Sequence, residues 1–144
     1  MSNLALAHNL AERWMASVLP AVVIAAGGTG VYRHPAPEDA VEPFVTVSLT
    51  NGKAIKPLGR GNTGVERLTY DVSTWDAGNS AERANAIAIA VAGALELNGP
   101  VSVSGGQIVS CERTGPSPAP PTSIERGLTF QRDGGMYELL VKVD

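Results

Sequence analysis

The chain has 144 residues, of which 44% are apolar and 17% are charged, and its formal net charge is −3. This length suits one domain with a core of its own, so we predict a single domain over residues 1–144. The single cysteine excludes an internal disulfide and a thiolate metal cage, and no run of about 20 apolar residues could span a membrane. The acidic balance gives no overall basic footprint for nucleic acid, and the N-terminus lacks the pattern of a signal peptide.

The first third of the chain predicts one helix and an extended segment. Over residues 3–19, apolar side chains recur at the spacing of one helical face, and Pro20 is expected to end the helix. A short apolar run at 22–24 leads into a glycine turn at 27–30. Residues 31–43, punctuated by prolines, are expected to be extended.

The middle third predicts a hairpin followed by a helix. Residues 44–50 and 65–75 alternate between apolar and polar side chains, which is typical of half-buried strands. Asn51-Gly52 is a strong turn signal, and residues 53–64 are expected to form a long arm at the hairpin tip. From residue 80 to about residue 97 an alanine-rich helix is predicted, preceded by the capping pair Asn79 and Glu82.

The last third predicts strands at 101–104, 107–113, 123–132 and 136–143. Asp133-Gly134-Gly135 is expected to be the tight link between the last two strands, and residues 114–122 a semi-rigid proline-rich loop. Together the elements predict an α+β fold, a mostly antiparallel sheet with two helices packed on one face.

Candidate catalytic or ligand-binding groups are few. Residues 27–30 resemble a phosphate loop only faintly, because no helix is expected to follow them. His8 and His34 are interpreted as solvated residues without metal-ligand spacing, and Cys111 as a small strand residue. Asp71 and Asp76 are expected on opposite faces of one strand, too far apart to act as a pair. The sequence therefore predicts no catalytic residue, no cofactor site and no metal site.

A second group of residues is more suited to contact with partners. A basic cluster surrounds the predicted arm, and its bases could touch nucleic acid, meet an acidic neighbouring subunit or simply be solvated. Asp71 is expected on the solvent-facing or subunit-facing side of its strand, and the proline-rich loop is a further candidate contact. The candidate interface residues are Lys53, Lys56, Arg60, Arg67, Asp71, Pro118 and Pro120.

Four stretches, in this order, carry a family resemblance. They are Tyr-Arg-His-Pro-Ala-Pro at 32–37, Pro-Phe-Val-Thr-Val at 43–47, Leu-Thr-Tyr-Asp-Val-Ser-Thr-Trp at 68–75 and Ser-Ala-Glu at 80–82. With the N-terminal helix before them, they make residues 1–100 similar to the tail terminator, or tail completion, family of long-tailed bacteriophages.

The resemblance implies a structural role without catalysis. Such proteins form a ring, usually a hexamer, on the end of the tail tube and stop its polymerisation. The ring then meets the head-completion or connector proteins, and genomic DNA passes through its lumen without specific binding. The expected location is the tail-neck region of the virion, after synthesis in the host cytoplasm. A head–tail connector or neck protein is the alternative, and a small nucleotide-binding enzyme using residues 27–30 is a remote one.

Overall fold

A computed structural model describes residues 4–54, 65–77, 82–97, 99–117, 122–125 and 128–144. Within them the chain forms two helices and seven strands. Their order is α1 (Leu4–Ala25), β1 (Val31–Arg33), β2 (Phe44–Ala54), β3 (Val65–Ala77), α2 (Glu82–Leu95), β4 (Val101–Val103), β5 (Gly106–Pro116), β6 (Thr122–Glu125) and β7 (Leu128–Val143).

The first helix does not end at Pro20, as the sequence predicted, but continues to Ala25. Leu19 and Val23, on either side of the proline, are both fully buried, and their burial outweighs the loss of one backbone hydrogen bond. The true end is a Schellman motif. Gly27 has a φ of +102°, its amide donates to the carbonyl of Ile24, and the Gly28 amide donates to the carbonyl of Val23.

The strands of the described residues form one sheet in the order β1-β2-β3-β7-β5-β4, with β6 also paired to β7. All pairs are antiparallel except β1 with β2. The strands β5 and β6 lie in tandem along the same edge of β7, since Pro116 stands opposite Gly135 and Thr122 opposite Gln131. The proline-rich segment is thus an interruption between two strands that share one partner.

Asn51-Gly52 is not a turn, which corrects the sequence prediction. Both residues lie inside β2, and Gly52 stands opposite Leu68 of β3. A Cβ on Gly52 would lie 2.7 Å from a Leu4 methyl group, so the glycine lets the start of α1 approach the strand closely. The pairing shifts register between Leu49 and Asn51, and Thr50 is therefore a bulge.

Asp133-Gly134-Gly135 is also not a turn, because it lies inside the 16-residue strand β7. Gly134 stands opposite Ser73 and Gly135 opposite Val72. A Cβ on Gly134 would lie 2.4 Å from the Val72 carbonyl oxygen, so this glycine permits a close approach of two strands rather than a reversal. The expected break between residues 132 and 136 is wrong, and β7 is continuous.

Both helices pack on one face of the sheet, here called the helix face, which confirms the predicted α+β class. Alternate residues of β3 point into this layer and are buried, as the strand pattern predicted: Leu68, Tyr70 and Val72. From α2 the buried side chains are Ala84, Ile87, Val91 and Leu95. Arg83 ties α2 to the end of β3 with two hydrogen bonds to Asp76, of 2.7 and 2.9 Å.

Candidate assembly interface

The face of the sheet opposite the helices, here called the open face, carries a small aromatic cluster: Phe44, Trp75 and Phe130. The Trp75 ring stacks on Phe44 at 6.4 Å and meets Phe130 edge-on at 6.0 Å. The Trp75 Nε1 donates a 2.8 Å hydrogen bond to the Thr46 hydroxyl, which satisfies the buried indole. His34 is exposed, as the sequence suggested, and its ring also stacks on Trp75 with 6.2 Å between the ring centroids.

Next to these rings lies a polar group, the Asp71 cluster, made of Asp71, Ser73, Ser117 and Arg132. The Asp71 carboxylate accepts hydrogen bonds from Ser73 at 2.7 Å, from Ser117 at 3.1 Å and from Arg132 at 3.2 Å. The Arg132 guanidinium also lies 4.3 Å from the centroid of a Trp75 ring, within cation–π range. Two charged side chains and one aromatic ring therefore form one connected network on the open face.

Asp71 lies on the open face, the side of its strand away from the helices, and its hydrogen-bond partners leave it 9% exposed in the single chain. The expectation that Asp71 and Asp76 lie on opposite faces is confirmed, since Asp76 faces α2. Ser117 precedes Pro118 directly, so the Asp71 cluster lies where the proline-rich segment begins. Pro118 and Pro120 themselves are outside the described residues.

The basic cluster is only partly described. Lys53 stands opposite Arg67 in the β2–β3 pair, whereas Lys56 and Arg60, in the predicted arm, are outside the described residues. The Arg67 side chain is 48% exposed and lies 3.4 Å from Glu138 of β7. An exposed pair of this kind contributes little to stability, so Arg67 remains accessible to a partner.

Sequence reasoning missed Arg132, Ser73, Ser117 and Trp75. The period of two in β3 could have placed Asp71, Ser73 and Trp75 in one row on one face. No local signal could have brought Arg132, which is 61 residues from Asp71, to the same row.

Two outer edges of the sheet have stretches without a paired strand in the described part of the chain. On one side, β1 covers β2 only at Val45–Val47, and residues 48–54 continue beyond it. On the other side, β4 covers β5 only at residues 106–108, and residues 109–116 continue beyond it. Unpaired edges of this length are templates for another strand.

The two open stretches lie at the same level of the sheet. Pairing through β3 and β7 aligns Leu49 of β2 with Arg113 of β5, and Gly52 with Cys111. By contrast, the short covering strands are staggered. β1 lies at the level of residues 133–135 of β7, and β4 at the level of residues 141–143.

A groove of about 460 Å³ runs beside the open stretch of β5. The end of α2 forms one wall with Ala92, Leu95 and the following Leu97, and the sheet forms the other with Cys111, Arg113 and Tyr137. On the opposite edge, Leu49 is 38% exposed. Leu49 stands opposite Tyr70, so it belongs to the helix face, the same side of the sheet as the groove.

The other candidate groups have structural partners. His8 lies 2.5 Å from the Tyr70 hydroxyl and 3.3 Å from Glu12, which corrects its interpretation as solvated. Burial raises the pKa of Tyr70 above its usual range, and the nearby Glu12 carboxylate acts in the same direction. Burial likewise raises the pKa of the Cys111 thiol, to about 12. The residue is buried in β5, which confirms its interpretation as a small strand residue.

No group of three His, Cys, Asp or Glu side chains that could hold a metal ion occurs in the described ranges. Within the same ranges, no helix has the length and apolar character needed to cross a bilayer. No protein-family model and no curated protein matches the chain.

Proposed function

We propose that this chain is a virion structural protein that forms a ring of six copies at the end of the tail tube of a long-tailed phage. The ring stops tube polymerisation and joins the tail to head-completion or connector proteins. Genomic DNA passes through its lumen without specific binding, for which a chain of net charge −3 is suited.

The observation that carries the proposal is the pair of open sheet edges. A closed ring of identical subunits needs two different surfaces on each copy, one meeting the other on the next copy. The open stretches of β2 and β5 are two such surfaces on opposite sides of one sheet.

Two alternatives stand beside this proposal. A head–tail connector or neck protein would use the same edges, so it differs in its partner rather than in its geometry. A nucleotide-binding enzyme is disfavoured, because residues 27–30 follow the C-terminal end of α1. Helix C-termini present carbonyl oxygens and the negative end of the helix dipole, whereas phosphates bind at N-termini.

The first test is the mass of the purified chain over a wide concentration range, by mass photometry and negative-stain microscopy. We expect a species of six times the 14.9 kDa chain mass, seen as a ring. A monomer at the highest concentration would count against the proposal, although assembly only on the tube must then be tested by adding the tube protein of the same phage.

The second test separates the terminator from the connector. Added to polymerising tube protein, a terminator shortens the tubes and caps their ends, whereas a connector leaves their length unchanged. A tail-tube gene directly downstream would favour the terminator.

The charged arm supplies a variant for both tests. Reversing the charges at Lys56 and Arg60 to glutamate should lower the ring yield without changing the unfolding midpoint of the monomer. An unchanged yield would remove these two residues from the interface.

A further inference from the structure

We infer that the subunits join edge to edge, with the open stretch of β2 in one copy pairing antiparallel with the open stretch of β5 in the next. The inference rests on the proposed ring and specifies its contact as a continuous sheet. The partner is a second copy of this chain, for three reasons that concern strand direction, level and backbone polarity.

Strand direction gives the first reason. Each step from β2 to β3, from β3 to β7 and from β7 to β5 is antiparallel, so β2 and β5 run in opposite directions within one copy. Rotation about an axis roughly along the strands places the β2 of the next copy beside β5 in an antiparallel pair. The same rotation keeps the helices of every copy on the same side of the sheet.

The level of the open stretches gives the second reason. Residues 48–53 and 110–115 lie at equal height, between the level that β1 covers at one end and the level that β4 covers at the other. The edges can therefore meet without a shift along the strands and without a clash between the covering strands. A contact with rotation and no rise closes into a ring, whereas a contact with a rise would give an open filament.

Backbone polarity gives the third reason. In β2, the Val45 amide and the Val47 carbonyl make hydrogen bonds to the residues on either side of β1, so they point away from β3. Backbone groups of alternate residues point to the same side of a strand, so those of Leu49 and, after the bulge, of Gly52 also point outward.

In β7, Gly134 accepts from Ser117 and Asp144 donates to Gly105, so its even-numbered residues face β5. The odd-numbered residues of β7 therefore face β3. Their partners in β5, Cys111 and Arg113, point their backbone groups away from β7, toward the open edge. The aligned pairs of the contact, Leu49 with Arg113 and Gly52 with Cys111, are then pairs whose backbone groups face each other.

The side chains agree with this pairing. In the joined sheet, Leu49 of one copy enters the groove between α2 and β5 of the next, where Leu95 and Leu97 line the wall. An exposed apolar side chain and an apolar-walled groove on the same side of the sheet are thereby both covered. This is strand addition with a side-chain pocket, the arrangement by which sheet edges gain specificity.

The test is disulfide formation between copies in a Cys111→Ala background. Hydrogen-bonded antiparallel pairs have Cα atoms about 5.5 Å apart, within the range of disulfides. The single variants Leu49→Cys and Arg113→Cys, mixed and oxidised, should form covalent dimers, whereas neither alone should. The double variant should form a ladder of covalent oligomers. As a matched control, Leu49→Cys with Glu112→Cys should not cross-link, because Glu112 lies on the other face of β5.

The outcomes separate this inference from the proposed ring. Rings without cross-links overturn the edge-to-edge pairing and leave the ring standing. Cross-links in Leu49→Cys alone would mean a two-fold β2–β2 contact, which overturns the pairing and also counts against the ring, because such a contact joins two identical surfaces. Absence of any assembly, with and without tube protein, overturns both.

Hydrogen exchange on the unmodified chain is an independent check. The amides of Leu49, Gly52, Cys111 and Arg113 should exchange about tenfold or more slowly in assembled protein than in dilute monomer. Equal rates in the two states would overturn the pairing even if the variants fail to fold.

Discussion

The Asp71–Arg132 pair is expected to be a strongly coupled part of the fold. The two side chains are 11% and 15% exposed and lie 3.2 Å apart. At an effective dielectric constant of about 20, two unit charges at this separation attract by about 5 kcal/mol. Removing two charges from water costs several kcal/mol each, so the net contribution of the intact pair is small. The loss of one partner alone leaves an uncompensated buried charge, which is strongly destabilising.

Asp71→Ala removes the acceptor of three hydrogen bonds and leaves Arg132 without its carboxylate. We expect a loss of about 3 kcal/mol in the free energy of unfolding. Arg132→Met keeps an apolar chain over Trp75 and should cost about 2 kcal/mol, since Asp71 keeps its two hydroxyl donors. The double variant should cost less than the sum, with a coupling energy of about 1.5–3 kcal/mol.

Urea unfolding followed by circular dichroism measures all four proteins of this double-mutant cycle. A matched control is the Arg67–Glu138 pair on the same face of the sheet, where the side chains are 48% and 34% exposed. Alanine substitutions there should show a coupling of no more than about 0.5 kcal/mol. If the Asp71 cycle is as additive as this control, the reasoning about the buried pair is refuted.

Three further predictions test other parts of the fold. Gly134→Ala should lower the free energy of unfolding by about 1–3 kcal/mol, because its Cβ would lie 2.4 Å from a backbone oxygen. The control Gly115→Ala, whose Cβ would have nothing within 4 Å, should change it by no more than about 0.5 kcal/mol. Equal melting temperatures of the two variants would show that β7 is not continuous there. Burial raises the pKa of Cys111 from its ordinary 9.0 to about 12. Between these pH values the unfolded chain has lost the thiol proton and the folded chain has not, so the free energy of unfolding falls as the pH rises, by up to about 1.4 kcal/mol per pH unit. Urea midpoints should show a shallower fall in Cys111→Ala, and an identical fall would contradict the assignment. Pro20→Ala restores a donor for the Ala16 carbonyl and should stabilise α1 by about 1 kcal/mol, measured as a higher melting temperature; a lower one would mean that the proline is needed for packing.

Periodicity predicted the helices, the paired strands and the fold class, because burial of one face imposes these patterns directly on the sequence. Local turn signals failed where tertiary contacts decided the backbone. Pro20 and Gly52 read as breaks, yet each lies where α1 continues or packs against the sheet. Likewise, Gly134 reads as a turn residue, although its lack of a side chain serves a close approach between β3 and β7.

The candidate interface was predictable only in fragments. Asp71 and the proline-rich segment were singled out separately, and the structure brings Asp71 to Ser117 at the start of that segment. Their connection through Arg132 depends on strand pairing over 61 residues of chain. The open edges could not be foreseen either, because the level of a strand in a sheet follows from register, which the sequence pattern of one strand does not determine.

The length of β7 has a consequence for how the chain folds. This strand pairs with β3 on one side and with β5 and β6 on the other, so the centre of the sheet closes only when residues 128–143 reach partners as distant as Val65. Contacts of such separation make folding slow, and until they form, β3 and β5 expose unpaired edges. We therefore expect refolding yield to fall with rising protein concentration, with β7 the strand whose docking competes against aggregation.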